Sequence, residues 1–102
     1  MHISGSYSYL RNGVATGINE TWSIHIQTGG FLFRTERNAA IFGSRIAVEA
    51  RGFDLAHLFW FRVDWHNTNP GAVKTASAVY DIGPDAIQVK REIDGTLTHE
   101  IV

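Results

Sequence analysis

Residues 14–28 read VATGINETWSIHIQT, and this stretch decides the fold. From Ile18 onward Ile18, Glu20, Trp22, Ile24 and Ile26 alternate with Asn19, Thr21, Ser23, His25 and Gln27. A period of two is the signature of a half-buried strand, and polar residues on the odd positions mark an antiparallel sheet with one wet face. Two turn signals bracket the strand. Asn12-Gly13 precedes it and Gly29-Gly30 follows it, both rich in residues that tolerate positive φ.

Working outward, the same pattern recurs to both ends of the chain. Strand one is predicted over 2–10, with Ile3, Gly5, Tyr7 and Tyr9 opposite Ser4, Ser6 and Ser8. Strand three is expected at 31–37, strand four at 44–51 and strand five at 57–66. Strand six is expected at 72–81 and strand seven at 86–93, and strand eight follows Asp94-Gly95 and runs to the last residue. Asn38–Gly43 reads as a helical turn or a wide loop, and Gly52–Ala56 as a turn. Gly5 and Gly17 fall inside strands, where glycine marks a bulge or a sharp bend. Ile and Val together outnumber Leu 17 to 5, which favours strands over helices. Eight strands joined by short links predict an all-β antiparallel meander, forming an up-and-down barrel or rolled sheet, with a two-sheet sandwich as the alternative.

Bulk composition narrows the function classes. A chain of 102 residues is one domain, 1–102, long enough to fold without a disulfide or a metal. Net charge is −1 and the nine basic residues are dispersed, so no basic stripe suits a nucleic acid. No apolar run approaches the about 18 residues of a membrane span. The opening residues lack the charged and apolar regions of a signal peptide, and cysteine is absent. A cytoplasmic location is therefore expected.

The search for chemistry finds few motifs. There is no Gly-x-Ser-x-Gly elbow, no cysteine nucleophile and no phosphate loop, so no catalytic residue is assigned. The five histidines lack zinc-site spacing, and neither a metal nor a cofactor is expected. Asp64 and His66 share one face of strand five and form a candidate polar pair, with a surface pair beside a loop as the plainer reading. His57 and His99 fall on predicted core faces. Glu20 breaks the apolar row of strand two, and a buried carboxylate must be paired, neutralised or open to a ligand. Arg34, Arg62 and Arg91 are its candidate partners. Arg91 is itself out of pattern between Val89 and Ile93, so an internal ion pair and a ligand-orienting patch both remain open. Trp60 and Arg62 lie on the outer row of strand five, which a second sheet covers, a dimer partner covers, or a ligand fills.

The pattern Gly5-x-Tyr7-x-Tyr9, Gly13, Gly17-x-x-Glu20-x-Trp22 resembles the start of several bacterial β-roll families, the lipoprotein-localisation-factor-like and glycolipid-binding proteins. The likeness covers about the first quarter of the chain. It implies a curled antiparallel sheet with Glu20 and Trp22 on a concave face that takes a lipid or other apolar ligand. This chain departs from those families in having no export signal and no helices to plug the sheet.

Three function classes follow. The first is a small binding module for an apolar or amphipathic ligand, with Glu20, Trp22, Trp60, Arg62 and Arg91 as its candidate site. The second is a homodimeric structural or interaction protein. The third is an enzyme using Glu20, Asp64 or His66 as acid–base groups.

Overall fold

The computed structural model describes residues 1–39, 43–54, 56–68 and 74–102. These form eight strands: β1 (His2–Arg11), β2 (Val14–Gln27), β3 (Gly30–Ala39), β4 (Ser44–Asp54), β5 (His57–Asn67), β6 (Thr75–Ile82), β7 (Ile87–Ile93) and β8 (Thr96–Ile101). Each strand pairs antiparallel with the next, in the order β1 to β8. The sheet is therefore a single meander. Of the expected alternatives the rolled sheet is the one formed: β1 and β8 are the two edges of one open sheet, neither closed into a barrel nor split into a sandwich. No local signal in the sequence distinguishes these outcomes, because closure depends on the first strand meeting the last.

The turns follow their residues. Asn12 and Gly13 have φ of 52° and 78°, and Asp94 and Gly95 have 46° and 87°, the left-handed pairs of a primed two-residue hairpin. Gly17, at φ 78°, supplies a bulge in β2. There the β1–β2 register moves from Leu10 opposite Ala15 to Ser8 opposite Asn19. Thr16 ties the bulge by donating its hydroxyl to the Tyr9 carbonyl at 2.7 Å and accepting from the Ile18 N–H at 3.2 Å. Gly5 sits in regular pairing opposite Trp22, and the indole lies across it. The predicted turn at Gly52–Ala56 is shorter than expected, because β4 runs on to Asp54 through two register shifts. Of the expected turn or loop at Asn38–Gly43, Asn38 and Ala39 end β3, and residues 40–42 lie outside the described residues, as do 72 and 73 of the expected sixth strand.

The pairing divides the side chains between two faces. On one face Ile3, Ile24, Phe33, Ala50, Phe61, Tyr80 and Val89 line up across seven strands, beside a second row that includes Trp22, Val48 and Val63. The other face carries Arg34, Glu49, Arg62 and Lys90 in one row and Glu36, Asp64 and Glu92 in another. One sheet face is apolar and one is charged.

Nothing lies over the apolar face among the described residues. Among the described residues the buried apolar side chains are Ala50 and Val89, at 6% and 2% exposure. The molecule measures 45 × 37 × 18 Å, with a radius of gyration of 16.1 Å. A compact chain of this length has a radius near 13 Å, so this sheet is spread out rather than folded back on itself.

Gly52 is the tightest point in the sheet. A Cβ there would overlap the Phe31 ring and lie 2.7 Å from the His57 carbonyl oxygen. The backbone cannot yield without breaking the β4–β5 register. Gly52→Ala is therefore expected to cost about 1–3 kcal/mol by overpacking, read as a lowered thermal midpoint, whereas Gly13→Ala meets no steric neighbour and is opposed only by its positive φ.

Candidate functional site

The charged face is a ladder of mutually neutralised side chains. Glu49 accepts from Arg51 at 3.0 Å and lies 3.5 Å from Arg34. Glu36 accepts from Arg45 at 2.9 Å and from Asn38 at 3.2 Å, and Arg45 first, then Asn38, holds its carboxyl below the usual range. Arg62 grips Asp64 with two bonds of 2.8 and 3.0 Å. The Arg51 guanidinium sits 4.9 Å from the centre of the Trp60 ring and covers it. Trp60 is thus half-buried under a neighbouring arginine on this face.

Three open depressions, of about 480, 330 and 420 Å³, lie mainly on this charged side. The first brings Asp64 and His66 together with Arg45, Arg62, Thr75 and Glu92. Asp64 is already held by Arg62, and its carboxylate oxygens make no bond to His66 among the described residues. No group of three His, Asp or Glu residues that could hold a metal ion is present among the described residues.

Glu20 behaves differently. It lies on the apolar face with its side chain 12% exposed. Tyr9 donates to it at 2.8 Å, Thr35 at 2.9 Å and Arg37 at 3.4 Å. Arg37 also donates to the Tyr9 hydroxyl at 3.3 Å and stands 5.5 Å from its ring centre. The Tyr9 hydroxyl first, then Thr35, lowers the Glu20 pKa from 4.5 to about 2, against the opposing push of burial. None of the three arginines expected from sequence is its partner. Arg34 and Arg62 project from the other face, and Arg91 pairs with Glu100.

The structure therefore separates the sequence-predicted residues. Glu20, Trp22 and Arg91 share the apolar face, while Trp60, Arg62, Asp64 and His66 share the charged face. His99 stands opposite Lys90 on the charged side, which corrects its expected place in a core row. His57 is exposed at the β4–β5 turn and bonds Asp54 at 2.7 Å, so it is not a core residue either. Tyr9, Thr35 and Arg37 were not foreseen. A hairpin centred on Thr28-Gly29, one residue earlier than the Gly29-Gly30 turn, places Arg37 directly opposite Glu20. No protein-family model, no curated protein and no solved structure matches this chain.

The Glu20 cluster has a measurable acid signature. Its folded pKa lies below the unfolded one, so the stability it contributes is present above about pH 4.5 and is lost as pH falls toward 2. Tyr9→Phe removes the strongest donor to the charge and is expected to cost about 1.5–3 kcal/mol at neutral pH. Acid titration of the thermal midpoint checks both: the variant should lose less stability than the parent between pH 4.5 and 2.

Proposed function

We propose that this chain is a non-catalytic interaction module whose working surface is the apolar face of its sheet. The observation that carries this reading is the surface the chain leaves uncovered. The chain exposes 7254 Å². A compact monomer of 11.4 kDa exposes about 5,800 Å², so roughly 1,500 Å² is in excess. At about 25 cal/mol per Å², covering even half of that area with apolar contact is worth about 20 kcal/mol before the cost of association, which runs to about 4–15 kcal/mol. A monomeric protein rarely keeps an apolar patch much above a few hundred Å².

The site chemistry supports the same reading over catalysis. Glu20 is on one face, and Asp64 and His66 are on the other, so the three acid–base candidates form no single constellation. Glu20 is held ionised by three donors, which leaves it poorly suited to exchange a proton near neutrality, and both Asp64 carboxylate oxygens are engaged by Arg62. For an apolar occupant a surface is favoured over a pocket, since the described depressions are open and mainly on the charged side.

Native mass spectrometry tests the proposal. A mass above the 11.4 kDa of one chain is expected, from a second protein chain or from an apolar molecule carried through purification. A bare, cooperatively folded monomer from 1 to 100 µM would overturn it.

A further inference from the structure

Resting on that reading, we infer that the occupant of the apolar face is a second copy of this chain, packed face to face. Two copies covering the excess surface bury about 3,000 Å² together, inside the about 2,000–5,000 Å² range of obligate homodimers. A lone small ligand covers only a fraction of that area.

The charges on this face are compatible with a second copy. Polar groups interrupt the apolar rows at two places. Glu20 and Arg37 form one pair on β2 and β3, and Arg91 and Glu100 form the other on β7 and β8. Each pair is internally neutral, so the face meets its own copy without like-charge repulsion. Between the two pairs lies an apolar centre on β4 and β5, with Val48 opposite Val63 and Ala50 opposite Phe61.

Face to face, the apolar centre on β4 and β5 of one copy meets that of the other, with the two sheets about 10 Å apart. In this assembly the core absent from one chain forms between two.

A charge placed at the apolar centre tests the assembly. Expected are a two-chain mass without adduct and at least a 100-fold weaker dimer in Phe61→Lys. A dimer unmoved by a folded Phe61→Lys overturns the face-to-face assembly described here. One chain carrying an apolar adduct overturns the second copy but leaves the interaction surface standing. A bare monomer overturns both.

Discussion

A sheet one layer thick satisfies its backbone and leaves its side chains half-served. Every strand of this meander pairs with the next, so the main-chain groups of the six inner strands have neighbours on both sides. The hydrophobic effect acts on a different geometry. It requires something at about 10 Å from the apolar face, and the described residues form a single sheet. The rest of the structure is shaped by that mismatch. Among the described residues the buried core shrinks to Ala50 and Val89, and the large aromatic side chains meet at tilted angles, as Phe61 and Tyr80 do at 57°.

Several local features read as responses to it. Trp22 lies over Gly5, and the Phe31 ring lies over Gly52, so two aromatic rings use the absence of a Cβ on the next strand to gain contact. Phe53 and Phe59, at ring centroids 4.7 Å apart, meet where the β4–β5 register slips. On the charged side Arg51 covers Trp60 in the same way. Each ring recovers part of the contact that a second layer would supply. None of these contacts spans the sheet from edge to edge, which is why most of the apolar face stays half-exposed.

The strands and their number were legible in the sequence, because alternation in β2 and the Asn12-Gly13 and Asp94-Gly95 turns are local properties of a few residues. The partners of Glu20 were not, and the reason is arithmetic. Antiparallel pairing adds residue numbers to a constant set by the turn, so moving the β2–β3 turn by one residue replaces Arg37 with another partner. The bulge at Gly17 moves the β1 partner by two, from Gly5 to Tyr7, and brings Tyr9 within reach. His99 follows from the same rule: pairing about Asp94-Gly95 puts it opposite Lys90, on the charged side, whatever its own apolar neighbours suggest. Closure of the sheet depends on β1 and β8, about a hundred residues apart in sequence, and no turn residue encodes it.

The eighth strand reverses the polarity of the rest. Its apolar residues Leu97 and Ile101 project on the charged side at 73% and 68% exposure, while Thr96, Thr98 and Glu100 continue the apolar face. The apolar face therefore ends at β7, and Arg91 with Glu100 forms its border. On the other side Tyr9, Glu20 and Arg37 interrupt the face at one end of β1–β3, while Ile3 and Ile24 carry it out to the β1 edge. A hydrophobic surface interrupted by self-neutralised polar groups is less open to indiscriminate association than an unbroken one. The polar pairs exclude apolar contact where they stand, and they leave the strip across β4 and β5 as the place where hydrocarbon can be covered at least cost.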